Sequence, residues 1–144
     1  MGHEKPGAAP TLRRHACQQT AILLRRMAYE AGRASKSADA TSVHDLRVAI
    51  RRLSQCLLVF RQFFPPGKAR KIRKALKEMV DLASEVRDRD IARELLVNAK
   101  IAPESALPRR LLEERGAARR ALVTELKQWT RSNSSRKWRS LLDL

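Results

Sequence analysis

Seven apolar residues between Val43 and Phe64 recur at an unbroken spacing of three and four residues. This spacing follows the 3.6-residue period of an α-helix and predicts one long amphipathic helix with a single buried stripe. The stripe consists of Val43, Leu46, Ile50, Leu53, Leu57, Phe60 and Phe64. Ser42, with Asp45 three residues later, is the predicted N-cap. The helix is expected to end at Pro65, because the residue before a proline avoids helical geometry.

The rest of the chain also has helical period, and no segment alternates as a strand would. Further helices are predicted over about 12–31, over 68–100 and around 111–129, with a short piece over 136–144. The first of these has its predicted buried stripe at Leu12, Ala16, Leu23 and Met27, with Gly32 as its stop. Four amphipathic helices with short connections favour an all-α antiparallel four-helix bundle over 11–144, with a short C-terminal helix. Residues 1–10 are predicted to form a disordered tail.

The charge of the chain is strongly unbalanced. In 144 residues, 31 Lys and Arg face 15 Asp and Glu, which gives a formal net charge of +16. Such a charge destabilises the compact state through self-repulsion unless an anion binds to the surface. The first functional hypothesis is therefore an anionic partner.

Several classes of protein are not favoured. No run of about 18 uncharged apolar residues is present, so no transmembrane helix is expected. No membrane partner is expected either, because the bulky apolar residues that could enter lipid are committed to the bundle core. The N-terminus lacks the apolar core of a signal peptide, which makes the cytoplasm the expected location. Cys17 and Cys56 lack a CxxC pattern and are interpreted as small buried hydrophobic residues, not as a disulfide or a zinc site.

His44, Arg47 and Arg51 share the face of the second helix opposite its apolar stripe. At about 100° per residue they fall within an arc of roughly 60°, and they extend over roughly 10 Å of helix. An arginine fork can bind two phosphate oxygens at once, so this ladder suits an extended phosphate chain. The unpaired N–H groups of the first helical turn, where His44 is expected, would add a second anion site.

The surrounding sequence strengthens this interpretation, because no acidic residue lies between Asp45 and Glu78. The ten basic residues in that window are Arg47, Arg51, Arg52, Arg61, Lys68, Arg70, Lys71, Arg73, Lys74 and Lys77. Four of them cluster on one side of the third helix: Arg70, Arg73, Lys74 and Lys77. The short turn at Pro65 makes the second and third helices antiparallel neighbours, so their basic faces are expected to merge into one surface.

These residues resemble a known family. Val43 to Leu53, with the sequence VHDLRVAIRRL, closely resembles the hallmark helix of CHAD domains, named for a conserved histidine in an α-helical domain. Glu85 to Ile91, with Leu76-Lys77 upstream, is similar to the second signature of that family. The two signatures together cover about residues 41–96, and 136–144 is similar to a later helix.

The resemblance implies a non-catalytic helical module that binds inorganic polyphosphate through a basic cavity or surface. The predicted polyphosphate-binding residues are His44, Arg47, Arg51, Arg52, Arg70, Arg73, Lys74, Lys77 and Arg87. Arg87 belongs to the second signature, but the neighbouring Asp88 and Asp90 favour a structural ion pair as strongly as a ligand contact. No catalytic residue, metal ligand or cofactor is expected.

The sequence also departs from the family pattern. Ser84 replaces a common glycine, Arg89 an apolar residue, and Ser54 a basic residue that would lengthen the ladder. The family fold pairs two similar four-helix halves, whereas this chain has the length of one. Either one half therefore suffices, or two copies assemble as a homodimer that supplies the second wall.

Three alternative functions are less favoured by the sequence. Nucleic acid, either RNA or DNA, is the strongest alternative ligand, since the same charges attract its phosphate backbone. However, no aromatic residue that could stack on bases is predicted on the face of the second helix that carries His44. A metal site would need about three ligands, and nearly all neighbours of His44 are cationic. Catalysis lacks a nucleophile–base grouping, a glycine-rich phosphate loop or carboxylates that could hold a metal.

Overall fold

The structure is a computed structural model that describes residues 8–144. The helices are α1 (Ala8–Lys36), α2 (Ala40–Val59), α3 (Lys68–Asn98), α4 (Ala106–Arg131) and α5 (Ser134–Leu141), and a short 3-10 helix, Arg61–Phe63, follows α2. No strand occurs within the described residues, so the predicted all-α fold is confirmed. The predicted tail falls mostly on residues 1–7, which lie outside the described range, and 8–10 form the first turn of α1.

Each long helix packs against the next, and α1 also packs against α4, which closes the ring of a four-helix bundle. The short connections make consecutive helices antiparallel. Helix α5 folds back onto α4 and α1, where Trp138 meets Trp129 edge to face with ring centroids 5.2 Å apart. This contact anchors the C-terminal helix to the bundle.

The apolar stripe of α2 forms the centre of the core. Val43, Leu46, Ile50, Leu53 and Leu57 are almost completely buried. The stripe of α3 is confirmed in the same way; it consists of Ile72, Leu76, Met79, Ala83 and Val86, all buried. With one face of each helix committed to the core, the opposite faces carry the charge.

The prediction for α1 was partly wrong. Leu12 is 47% exposed, whereas Thr20 and Leu24 are buried beside the predicted Ala16 and Met27. The hydroxyl of Thr20 donates a hydrogen bond to the carbonyl of Ala16 at 2.7 Å, which lets a polar residue occupy an inward position. Because this inward position is polar, apolar spacing alone did not predict correctly which residues of α1 are buried.

The predicted boundaries of α1 and α2 were also inexact. Helix α1 continues through Gly32, because Ala31 and Ala34 on either side are fully buried and their packing outweighs the low helix propensity of glycine. Helix α2 ends at Val59, several residues before Phe64. Phe64 itself is extended, with φ −108° and ψ 159°, as expected of a residue before proline.

Both cysteine thiols are free and half-buried. Within the described residues, no helix is both long and apolar enough to cross a membrane.

Candidate functional site

A long groove runs between α2 and α3, hereafter the α2–α3 groove, with a volume of about 780 Å³. Its lining consists of Ile50, Arg51, Ser54, Gly67, Arg70, Lys71, Arg73, Lys74, Leu76, Lys77 and Val80. Six of these residues are Arg or Lys and none is Asp or Glu, so the lining itself carries only positive charge. A groove lined by charge of one sign concentrates the field and attracts the opposite ion.

Only one of the three residues of the predicted ladder on α2 lines the groove. Arg51 lines the groove, whereas the exposed His44 and the half-buried Arg47 lie further toward the beginning of the helix and do not line it. The spacing of 44, 47 and 51 keeps all three on one side of α2. His44 and Arg47 therefore lie on the same side of α2 as Arg51, beyond the residues that line the groove.

Arg47 reaches across to the neighbouring helix. Its Nε donates a hydrogen bond to the hydroxyl of Ser84 on α3, 3.2 Å away. Burial lowers the pKa of Arg47 from its usual value, and the charges of Arg51 and Arg87 lower this pKa further, while Asp88 acts in the opposite direction. Because the usual pKa of an arginine is so high, Arg47 is still charged at neutral pH. An anion bound beside it would relieve the repulsion between these guanidinium groups.

All four predicted residues of α3 line the groove: Arg70, Arg73, Lys74 and Lys77. The Nε of Arg73 is buried and has no hydrogen-bond partner among the described residues. Lys77, by contrast, pairs with Asp81 one turn later, with Nζ 3.0 Å from Oδ2. This pair is highly exposed, at 74% and 61% for the two side chains, so it holds Lys77 only weakly.

Two of the predicted residues lie elsewhere. Arg52 lines a hollow between α1 and α2 together with His15 and Phe60, because one residue of advance along a helix turns the side chain by about 100°. Arg87 lines a hollow on the α4 side of α3, although its charge still acts on Arg47. Neither side chain lines the α2–α3 groove.

The predicted ion pair of Arg87 is not formed among the described residues. Asp90 pairs instead with Arg115 on α4, with Nε 2.5 Å from Oδ1. Arg115 also donates a hydrogen bond to the carbonyl of Ala38 in the loop between α1 and α2, at 3.0 Å. Asp90 therefore holds three parts of the bundle together through Arg115.

The predicted start of α2 was wrong. The N-cap is Asp39, whose Oδ1 accepts a hydrogen bond from the backbone N–H of Ser42 at 2.8 Å. That hydrogen bond lowers the pKa of Asp39. Ser42 lies inside the helix and is buried, and its hydroxyl donates to the carbonyl of Ser37. The Asp39 carboxylate therefore uses one N–H group of the helix start and adds a negative charge there, which disfavours the additional anion site predicted beside His44.

Asp45 has a different partner from the one expected in a capping box. Its Oδ2 accepts a hydrogen bond from Nη1 of Arg33 on α1 at 2.8 Å. The same guanidinium nitrogen lies 3.1 Å from Oε2 of the buried Glu30. The hydrogen bond to Asp45 raises the pKa of Arg33, and the charge of Glu30 raises this pKa further. These ion pairs neutralise the charges of Arg33, Glu30 and Asp45 where α1 meets α2. They lie on a different side of α2 from the groove.

Two residues that shape the site were missed as site residues. Lys71 lines the groove, and its spacing of three from Lys74 would have placed it on the same face. Ser84 was noted only as a departure from a family pattern, and no sequence signal identifies it as the partner of Arg47.

Groups of three or more potential metal ligands from His, Cys, Asp and Glu do not occur in the described part of the chain. The groove itself is lined by cations, which repel a divalent ion.

The family model of the CHAD domain matches residues 18–143, nearly the whole sequence. The chain belongs to the CHAD domain family. CHAD domains in general are linked to polyphosphate binding. No curated protein and no solved structure gives a significant match. The matched range contains α2 to α5 in full and α1 from residue 18 onward, so the α2–α3 groove lies within the CHAD domain itself.

Proposed function

We propose that this CHAD domain binds inorganic polyphosphate in the α2–α3 groove and catalyses no reaction on it. The observation that carries the proposal is the composition of the groove lining, which contains six cationic residues and no acidic one. Polyphosphate carries closely spaced negative charges along a flexible chain. Cations spaced along two antiparallel helices can contact successive phosphates of such a chain.

Binding relies on ion pairs with the phosphate oxygens. Arg51 on α2 and Lys74 on α3 both line the groove, so a chain lying in it can contact both helices. Arginine binds two oxygens through its planar fork, and lysine contributes a compact charge that accepts several orientations. This mixture favours a polymer of uniform chemistry that can shift along the groove.

Nucleic acid is the second candidate, because the same charges would bind its phosphates. No aromatic ring lines the α2–α3 groove. The exposed Tyr29 lies on α1, where the Arg26 guanidinium is 5.8 Å from the centre of its ring. Proteins that bind single strands combine a basic groove with aromatic rings on which bases stack. The groove thus favours a ligand that has phosphates and no bases.

A competition assay distinguishes the two ligands. Labelled long-chain polyphosphate is bound to the protein at physiological salt and displaced by unlabelled polyphosphate, single-stranded RNA or duplex DNA at equal phosphate concentration. We expect polyphosphate to be the strongest competitor. Equal or better displacement by RNA or DNA would favour the nucleic-acid function instead.

The groove is tested by the double variant Arg51→Ala plus Lys74→Ala. Its affinity for polyphosphate should fall more than tenfold, because each lost contact contributes about 0.7 kcal/mol or more and the two together about 1.4 kcal/mol or more. Arg109→Ala plus Arg110→Ala is the matched control, since it removes two exposed cations of α4 that do not line the groove. An equal loss of affinity in both variants would mean that total charge, and not the groove, determines binding.

A further inference from the structure

The face of α2 that lines the groove continues beyond the end of the groove. Arg51 and Ser54 line the groove, and the next residues at the same helical spacing are Leu58 and Arg61. The 3-10 helix that follows α2 begins at Arg61 and keeps the chain turning in the same sense. The side of α2 that carries Arg51 thus continues to Arg61 in the 3-10 helix, about 15 Å further along the chain direction at 1.5 Å per residue.

Leu58 and Arg61 line a second hollow at the connection between α2 and α3, hereafter the turn pocket, with a volume of about 400 Å³. Its lining consists of Leu58, Arg61, Pro65, Gly67, Ala69, Arg70 and Arg73. Gly67, Arg70 and Arg73 also line the α2–α3 groove, so the two hollows adjoin along these residues. No acidic residue lines either hollow.

Gly67 lies where the two hollows adjoin. Its φ of 76° lies in the left-handed region that favours glycine. A Cβ added at this position would meet no atom within 4 Å, so any side chain there would project into open space. A backbone without a side chain at this point leaves room for a ligand to pass close to it.

The arginines at this junction keep donors for a ligand. Arg61 uses Nη1 to donate a hydrogen bond to the carbonyl of Leu58 at 3.0 Å, which fixes the direction of its guanidinium. The other N–H groups of that guanidinium have no acceptor among the described residues. Arg73 lines both hollows, and its buried Nε likewise has no partner there. A phosphate chain that crosses the junction would supply oxygens to both arginines.

We propose that a bound polyphosphate chain continues from the α2–α3 groove past Gly67 into the turn pocket, where Arg61 binds its further phosphates. The inference rests on the proposed function and adds a preference for ligand length. A triphosphate is satisfied by the cations of the groove alone, whereas a long polymer occupies both hollows. Arg61 therefore contributes to the affinity for long chains and not to that for short ones.

The test compares two ligands and three variants of the full-length protein, by titration at one fixed salt concentration. Arg61→Gln should weaken the binding of long-chain polyphosphate about threefold to tenfold, the effect of one exposed charged contact, and leave triphosphate affinity unchanged. Lys74→Gln should weaken both ligands, because Lys74 lines only the groove. Arg110→Gln, an exposed cation of α4 outside both hollows, should weaken neither.

The possible results separate the inference from the function on which it rests. If Arg61→Gln weakens both ligands equally, or weakens neither while the wild-type protein binds polyphosphate, the extension into the turn pocket is wrong and the groove is unaffected. If the wild-type protein does not bind polyphosphate, the proposed function fails and the extension fails with it. Circular dichroism of each variant confirms that the helical fold is retained.

Discussion

The Nε of Arg47 on α2 donates a hydrogen bond to the hydroxyl of Ser84 on α3 at 3.2 Å. This contact crosses the helix pair that forms the α2–α3 groove. It occupies one donor of the guanidinium and leaves the two terminal nitrogens without partners among the described residues. Ser84 thereby holds Arg47 without neutralising its charge, which a carboxylate at the same position would do. Under the proposed function, the terminal nitrogens are then available to polyphosphate.

Replacement of Ser84 by alanine tests this orienting role. We expect Ser84→Ala to weaken polyphosphate binding about fivefold, since one hydrogen bond contributes about 1 kcal/mol. The midpoint of urea unfolding should change little, because alanine is the better helix former. Isothermal titration calorimetry measures the affinity, and Ser140→Ala on α5 is the control. An unchanged affinity would mean that Arg47 does not need Ser84 in order to bind.

The response to salt reports how many ion pairs form. The logarithm of the affinity for polyphosphate should fall linearly with the logarithm of salt concentration, by roughly 0.7 per phosphate contact if single-stranded nucleic acid is a fair guide. Arg51→Ala plus Lys74→Ala should then reduce the slope by about 1.4. Fluorescence titrations at several salt concentrations give the slope. The same slope in the variant and the wild-type protein would exclude these two side chains from the contacts.

Removal of a competing carboxylate should strengthen binding. Asp81 holds Lys77 at 3.0 Å, beside the groove that Lys77 lines. Asp81→Asn releases the ammonium, and we expect a twofold to fivefold gain in affinity, equivalent to the roughly 0.4 to 1 kcal/mol of an exposed ion pair. Glu85→Gln is a matched control, because it removes one negative charge from the same helix by breaking a pair with Arg89, which does not line the groove. An equal gain in both variants would indicate net charge as the cause.

Periodicity predicted much of this architecture because apolar spacing records directly which face of a helix is buried. Leu46 and Ile50 on α2, and Leu76 on α3, are buried as the spacing required. The absence of acidic residues between Asp45 and Glu78 drew attention to the cations of α3. Arg70 and Lys74 line the groove as predicted, because the spacing of residues on a single helix shows which of them share a face.

What the sequence could not reveal depends on contacts between distant segments. Asp39 and Ser42 are both good capping residues, and the choice between them follows from the burial of Ser42 against the carbonyl of Ser37. Arg52 was included among the binding residues, whereas it lines the hollow between α1 and α2, which could be located only once α1 was placed against α2. The pairing of Arg47 with Ser84 spans 37 residues, which no local pattern encodes.

The N-cap of α2 gives stability a dependence on pH. The pKa of Asp39 is lowered in the folded protein by its hydrogen bond with the backbone N–H of Ser42. Because the pKa of Asp39 is lower in the folded protein than in the unfolded chain, its ionised carboxylate stabilises the folded protein at pH values above the unfolded-state pKa. This stabilisation is lost as the pH falls through the folded-state pKa. Asp39→Ala should therefore lower the urea midpoint at neutral pH, and the difference from the wild-type protein should shrink under acidic conditions. A difference that persists undiminished in strong acid would contradict capping by the carboxylate.

The ion pair between Asp90 and Arg115 is expected to stabilise the bundle without affecting the ligand. Its side chains are only 13% and 16% exposed, and Arg115 also binds the carbonyl of Ala38. Arg115→Met leaves a mostly buried carboxylate unpaired, so the free energy of unfolding should fall by about 2–3 kcal/mol. Addition of Asp90→Leu should recover most of this loss, because the unpaired charge is then removed.

Urea titrations measure the free energy of unfolding of both variants of the Asp90–Arg115 pair. The control is Arg89→Met, which breaks the more exposed pair with Glu85 and should lower the free energy of unfolding by less than about 1 kcal/mol. Polyphosphate affinity at a temperature where all variants are folded should equal that of the wild-type protein, because Arg115 lines neither the α2–α3 groove nor the turn pocket. If Arg115→Met costs no more than Arg89→Met, the three-way contact of Asp90, Arg115 and Ala38 does not hold the bundle together. If Arg115→Met preserves stability but weakens polyphosphate binding, the basic surface extends to α4, and the α2–α3 groove is only part of the site.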